Sequence, residues 1–460
     1  MNAAFLLTAI FMMCLPASAQ PKLIHYGWDN PDITSLPVVL PKLKDSVFDG
    51  LAANSEGHDQ IFSAVPFHPH SFARDNAVLK ILPSRALANS YLLLHAATDD
   101  KFDWSNKKHW ASSLSNMRQM AKLAKAGGFK GLVFDMEPYG KSPWNYHSQK
   151  AKDQLSFAAF QDLLQSRGAE MMEAMQQEFP GLDLWCLFGL SAHSYLLADP
   201  VTLTDANALL INDGYGLWSA FFGGMVASAA DDTRIIDGNE PSYYYTDAAG
   251  FAKAATTIKA DLQRFLKPKL RKTYEQKILL GHAVYVDGVM NLHNSPRFIG
   301  YYFKSDKDRL ELLARNTANA LATSETLVWV YAEKNRWWDG VIRKDVDAAL
   351  QRAKNAVAKT AAIPASVALR AAEKQLKTRV TIGGKFQTSN GKGVKPESFG
   401  SPFNDMACST WGDEGDYACE FPKDSNVVIT PRTTGAIFEP GQQHFKAVAK
   451  STYGIDWVVK

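Results

Sequence analysis

Residues 130–139 read KGLVFDMEPY, an apolar run that ends in two carboxylates, Asp135 and Glu137. FAAFQDLLQSRGAEMMEAMQQEF (157–179) follows with apolar residues at helical spacing, and LDLWCLFG (182–189) is again short, apolar and aromatic. An apolar strand, an amphipathic helix and a second apolar strand form the pattern of a parallel sheet buried on both faces. The same alternation recurs outward from this stretch. Short runs stand at Leu23–Gly27, Ser46–Leu51, Ser90–Ala96, Lys130–Met136, Leu182–Gly189, Thr233–Gly238, Lys277–Tyr285 and Thr326–Ala332. Helical patterns such as Trp110–Ala126, Phe157–Phe179, Gly250–Leu266 and Leu310–Thr323 lie between them. Eight such units over roughly 320 residues predict an α/β chain folded as a (β/α)8 TIM-like barrel, with an open doubly wound sheet as the alternative. Neither a strand-Gly-x-Gly-x-x-Gly-helix fingerprint nor a Gly-x-x-x-x-Gly-Lys-Ser/Thr loop is present to favour a nucleotide site.

The flanks of the barrel have a different texture. An apolar run from Ala3 to Leu15 leads into Ala17-Ser18-Ala19, the small-x-small pattern of a cleavable signal, although no Lys or Arg precedes it. Cleavage is expected before Gln20, giving an exported, periplasmic or secreted chain. The run is too short to span ~30 Å of hydrocarbon, so no membrane span is expected. Lys344–Lys359 reads as the closing helix and Ala365–Lys377 as a second helix or linker. Beyond Thr378, Val380–Gly384, Asn426–Thr430 and Phe445–Val448, with the turn pair Asn390-Gly391, suggest a small β unit. The expected organisation is a signal peptide at 1–19, a barrel at 20–360, a helical linker at 361–377 and a β-sandwich-like domain at 378–460. Cys408 and Cys419, eleven apart, are expected to form a disulfide there, and Cys186 to be a buried thiol.

With 460 residues, 46% hydrophobic and 21% charged at a net charge of +3, a disordered acidic chain and a strongly basic nucleic-acid binder are excluded. The remaining polar signal gathers where strands end, which in a barrel is where chemistry sits. Strand alternation puts Val133, Asp135 and Glu137 on one face and Leu132, Phe134 and Met136 on the other, so two carboxylates project from one strand end into the mouth. Like charges this close resist joint ionisation, which raises one pKa and supplies a general acid. Glycosidic cleavage needs a second carboxylate opposite, and Glu333 and Glu240 are both open for that role. Asp29, Asp237, Asp287 and Tyr139 also follow strands and are expected substrate-binding residues. Flat sugar faces stack on aromatic rings, which makes Trp28, Trp144, Trp329, Tyr331 and Trp337 expected binding residues. Trp104, Tyr146 and Trp338 fall in comparable places.

Asp135-x-Glu137 ending the fourth run, in an exported barrel with a terminal β module, resembles the secreted TIM-barrel glycoside hydrolases, especially those whose catalytic acid ends an Asp-x-Glu on the fourth strand. The resemblance covers the barrel alone. It implies a carbohydrate hydrolase with Glu137 as acid/base and Asp135 as its partner. The longer Asp-Gly-x-x-Asp-x-Asp-x-Glu signature of chitinase-type enzymes is absent, as is the Asn-Glu pair of many retaining β-glycosidases on strand four, although Asn239-Glu240 repeats those letters on strand six. No particular family follows. The expectation is therefore a monomeric glycoside hydrolase acting on a poly- or oligosaccharide without a cofactor. The rivals are a non-catalytic glycan-binding barrel, which the same aromatics would serve, and a metal-dependent hydrolase. For the last, His68-Pro69-His70 has ligand spacing but reads as a surface loop, and His25, His95, His193 and His282 show no paired pattern.

Overall fold

The computed structural model describes residues 20–55, 61–83, 85–99, 101–137, 141–197, 206–340, 343–360, 370, 372, 378–396, 398–400, 407–411, 415–433 and 435–460. The expected signal peptide, nearly all of the expected linker, and Tyr139 lie outside the described residues.

Nine parallel strands make one sheet: β1 (Lys22–Gly27), β2 (Gly50–Ala53), β3 (Tyr91–His95), β4 (Gly131–Asp135), β5 (Asp183–Cys186), β6 (Arg234–Asp237), β7 (Ile278–Leu280), β8 (His282–Tyr285) and β9 (Leu327–Ala332). Their spatial order, β7-β6-β5-β4-β3-β2-β1-β9-β8, places β7 and β8 at the two ends, yet in sequence these strands are separated only by Gly281. One run, expected as a single strand over Lys277–Tyr285, therefore pairs with β6 through its first half and with β9 through its second. The ring closes across Gly281, and the eight-position barrel expected from the sequence is the fold observed.

The helices are α1 (Leu36–Lys44), α2 (Ala73–Leu79), α3 (Lys107–Ala126), α4 (Phe157–Glu178), α5 (Ala206–Leu210), α6 (Trp218–Ser228), α7 (Ala248–Lys259), α8 (Pro268–Lys277), α9 (Val286–Val289), α10 (Asp306–Thr323) and α11 (Lys344–Ala358). Polar caps set several of their starts. Asn106 accepts from Lys108 N and His109 N, and Ser156 accepts from Ala159 N, satisfying first-turn donors that no intrahelical carbonyl reaches. α4 and α6 pack backbone to backbone: a Cβ on Gly168 would lie 1.9 Å from Phe221 O, and one on Gly224 1.9 Å from Gln165 O. No larger residue fits at either crossing point.

The C-terminal strands are β10 (Arg379–Thr388), β11 (Ser398–Gly400), β12 (Ala407–Trp411), β13 (Asp416–Pro422), β14 (Val427–Arg432), β15 (Phe438–Glu439), β16 (Gln443–Phe445) and β17 (Trp457–Val459). They form a five-stranded sheet, β12-β13-β10-β17-β15, and a three-stranded one, β11-β14-β16. Both bury one separate core of Val380, Ile382, Phe386, Tyr417, Phe421, Ile429 and Trp457. Cys408 and Cys419 face each other across β12 and β13 and form the expected disulfide. Cys186 is buried, and burial raises its thiol pKa well above the ordinary value, so it stays an inert thiol.

Candidate active site

Inside the barrel, Tyr26 meets Trp185 and Trp329 edge-on and the two indoles are tilted against each other, with ring centroids 5.4 to 5.8 Å apart, forming an aromatic floor. Above it, strand register aligns His95 with Asp135 and Tyr26 with Tyr331, so residues that close the mouth come from neighbouring strand ends.

β4 alternates as its sequence predicts. Phe134 turns to the helix layer, where its ring lies 5.9 Å from that of Trp218 on α6, while Asp135 turns inward. Asp135 is fully buried, accepts a hydrogen bond from Tyr26 Oη at 3.2 Å and lies 3.5 Å from His95 Nδ1. Its other oxygen accepts the backbone N–H of Glu137 at 2.9 Å. Asp135 thus fixes the backbone from which Glu137 leaves the strand.

Glu240 reaches the same place from β6. It opens a turn at Glu240–Tyr244 behind Asn239, whose φ of +46° is in the left-handed region that asparagine tolerates better than most residues. That conformation is held by Asn239 N donating to Asp237 Oδ1 at 3.0 Å and by Glu240 N donating to Leu187 O at 3.2 Å. Burial, with the Glu137 and Asp135 carboxylates close by, holds the Glu240 carboxyl protonated well above the usual carboxylate range, and the Arg297 guanidinium offsets only part of this. Tyr215 and Tyr243 stand among the same charges: burial first, then Glu137, Glu240 and Asp135 raise Tyr215, and burial, Glu240 and Glu137 raise Tyr243.

Glu333 lies at the other rim, where β9 ends. It accepts hydrogen bonds from Tyr285 Oη at 3.0 Å and Tyr331 Oη at 3.2 Å, and His293 Nε2 lies 3.5 Å away. Tyr331 feels both Glu333 and Glu137, which places Glu333 on the same mouth. Its partners are phenols and an imidazole, whereas the groups acting on Glu240 include the two β4 carboxylates.

Several expected binding residues have other work. Asp237 faces the helix layer, where Ser191 N donates to it at 3.0 Å and Ser191 Oγ at 2.5 Å; burial raises its pKa against these bonds. Asp29 accepts from Trp337 N at 2.6 Å and Trp338 N at 3.2 Å and pairs with His25 at 3.0 Å; although burial opposes it, His25 and these donors lower its pKa. Asp287 gathers the backbone N–H groups of Glu333, Lys334 and Asn335 at 2.6 to 3.4 Å, tethering the loop that carries Glu333.

The tryptophans also divide. Trp144, Trp329 and Trp337 are buried, with their indole N–H groups on Met136 O (2.7 Å), Gly238 O (2.7 Å) and an Asp347 carboxylate oxygen (2.7 Å). Trp104 and Trp338 are buried as well, so the expected aromatic wall is largely core: a large ring gains most where all of it leaves water and its N–H still finds an acceptor. Trp28 is the exception at 66% exposed, beside Tyr331 at the mouth. Tyr331, Trp28, Asp135, Glu137, Glu240 and Glu333 are therefore the expected residues that meet there. Tyr26 and Tyr285, at their strand ends, and Tyr243, in the tyrosine run after Glu240, join them from places visible in the sequence; Tyr215, His293 and Arg297 join them unforeseen.

Histidines do not form the expected metal alternatives. His68 and His70 are exposed in a surface turn, and His193 and His282 are buried, each pushed down to about 3 and so neutral. Among the described residues, Asp287, His293 and Glu333 offer ligand atoms within 4.8 Å of one another. Asp287 already accepts backbone N–H bonds on both oxygens, so its lone pairs serve the loop, and the trio fits a metal poorly.

No protein-family model and no curated protein matches the chain. Among solved structures it is similar to the GH5_18 protein from Streptomyces cattleya in complex with Manβ1-4GlcNAc, at 10% identity and TM-score 0.41 over 75% of this chain and 83% of that one. The endocellulase from Pyrococcus horikoshii is similar at 10% identity and TM-score 0.36, over 73% and 93%. Morphinone reductase, a protein of different chemistry, is similar at 10% identity and TM-score 0.33, over 67% and 82%. Likeness this distant does not distinguish one barrel chemistry from another.

Proposed function

We propose that this chain is an exported glycoside hydrolase that cleaves a poly- or oligosaccharide through Glu240 and Glu137. The observation that carries the reading is the gathering of Glu240 with the Glu137 and Asp135 carboxylates at the barrel mouth, where burial and those two charges raise the Glu240 carboxyl. Cleavage of a glycosidic bond needs one carboxyl that still holds a proton near neutral pH, to give it to the leaving oxygen, and one ionised carboxylate, to act at the anomeric carbon or on a water. Glu240, whose carboxyl is raised by burial and by the Glu137 and Asp135 carboxylates, suits the first role, and Glu137, just past the end of β4, is assigned the second. This reverses the role that the resemblance alone implies for Glu137. Asp135 positions Glu137, and Glu333 with its phenols lines the rim. Trp28 supplies an exposed ring for a sugar face. The apolar run ending at Ala17-Ser18-Ala19 supports export.

The test is a glycan panel screened for reducing-end release by the mature protein, with Glu137→Gln and Glu240→Gln beside it. Cleavage by the wild type and its loss in both variants is the expected result. Glycan binding without cleavage by any of the three would replace the hydrolase with a non-catalytic glycan-binding barrel.

A further inference from the structure

The C-terminal domain meets the barrel beside the candidate active site, and the two enclose a cavity of about 280 Å³. β10 and β13 turn Val380, Ile382, Cys419 and Phe421 into their own core, so the alternate residues Arg379, Thr381 and Glu420 face outward. These three line the cavity from one side; Tyr244, Arg297 and Phe298 line it from the barrel. Tyr244 and Phe298 stack, with ring centroids 5.8 Å apart and planes 4° from parallel, and the Arg297 guanidinium lies 5.1 Å and 5.8 Å from their centroids. Rings, rather than a carboxylate, hold this cation: among the described residues Arg297 makes no ion pair within 4.0 Å. Its charge reaches Glu240 on one side and Glu420 on the other.

We propose that this junction is a subsite for a sugar unit bearing an acidic group, a uronate carboxylate or a sulfate ester, and that the C-terminal domain thereby takes part in substrate recognition. The volume is just below the ~300–1,000 Å³ of small-ligand pockets and suits a single ring. Arg297 is already oriented on two aromatic faces, and a guanidinium fork matches a carboxylate or sulfate with two parallel hydrogen bonds. Arg379 lies across the cavity from it, beside Glu420, the one carboxylate in the lining.

The inference rests on the glycan reading of the barrel, but its test needs no cleavage. Methyl glucuronide, N-acetylglucosamine 6-sulfate and neutral methyl glucoside are titrated into the full mature chain by calorimetry or ligand-observed NMR. An acidic sugar is expected to bind roughly tenfold or more tightly than the neutral one, as a charge-assisted pair implies. The two acidic probes decide between carboxylate and sulfate. Thr381→Trp, which fills the cavity from the C-terminal side without touching Glu240, should abolish that preference, and Arg297→Leu should remove it while leaving the thermal unfolding of the C-terminal domain in place. Equal binding of acidic and neutral sugars, or an unchanged preference in Thr381→Trp, overturns the proposal. Acidic-sugar binding with no cleavage of any glycan would leave the subsite standing and remove the hydrolase; cleavage of neutral glycans with no preference for acidic ones would do the reverse.

Discussion

Glu240→Gln should make the protein more stable and less active at once. Glu240 is raised from an ordinary value of 4.5, by burial first and by Glu137 and Asp135 next, so the folded chain keeps a proton that the unfolded chain releases. For a carboxyl raised in this way, stability is fully present below the unfolded pKa and declines as pH climbs toward the folded one. The slope is about 1.4 kcal/mol per pH unit in that window. Glutamine keeps the shape, carries no charge at any pH and removes this slope. In calorimetric scans at a fixed rate between about pH 5 and about pH 9, the variant should gain on the wild type as pH rises, by on the order of 2 °C per kcal/mol. Loss of a positioned general acid should cost about 10²- to 10⁴-fold in kcat/KM on any glycan that the panel identifies. The wild type should lose activity on the alkaline side as Glu240 deprotonates. Parallel melting profiles for the two proteins, or undiminished cleavage by the variant, would refute the assignment of the proton to Glu240.

Asp135→Asn keeps the size of the side chain but weakens its hold on Glu137 N, Tyr26 Oη and His95; kcat should fall more than KM rises, read by steady-state kinetics beside thermal unfolding. Trp28→Ala removes a mostly exposed ring and should raise KM several-fold, as loss of one stacking contact of about 0.5–1.5 kcal/mol implies, with an unchanged melting temperature. Trp144→Ala empties a core position and should cost about 3–5 kcal/mol of stability, so a variant that melts like the wild type would show Trp144 to be no core residue. Cys408→Ser opens the short loop closed with Cys419 and should destabilise the C-terminal domain by about 3 kcal/mol, seen as faster hydrogen exchange confined to β10, β12 and β13.

The chain order of strands and helices was legible because each element carries its own period. All eight barrel strand positions coincide with or overlap apolar runs in the sequence, and misplacements are local: the second strand begins at Gly50 rather than Ser46, and α3 starts at Lys107, where the Asn106 cap outranks the first apolar residue. The division of one run at Gly281 was hidden, since it depends on which neighbours each half meets. Nor did the sequence mark Tyr215 or Arg297, single residues in irregular loops that become part of the site through loops folding over the mouth.

The sequence by itself determined that Asp135 and Glu137 leave β4 toward the barrel interior, because alternation along a strand is a local consequence of backbone stereochemistry. It likewise determined that Glu333 shares a face with Trp329 and Tyr331. Only the tertiary structure set the Glu240 carboxyl apart, because a pKa depends on burial and on charges that arrive from segments a hundred residues away, here Glu137 and Asp135. It also decided which tryptophans are buried and which stay exposed. Burial rewards a large ring wherever it leaves water, so a tryptophan after a strand reads the same in sequence whether it turns into the core, as Trp144 does, or stays open at the mouth, as Trp28 does.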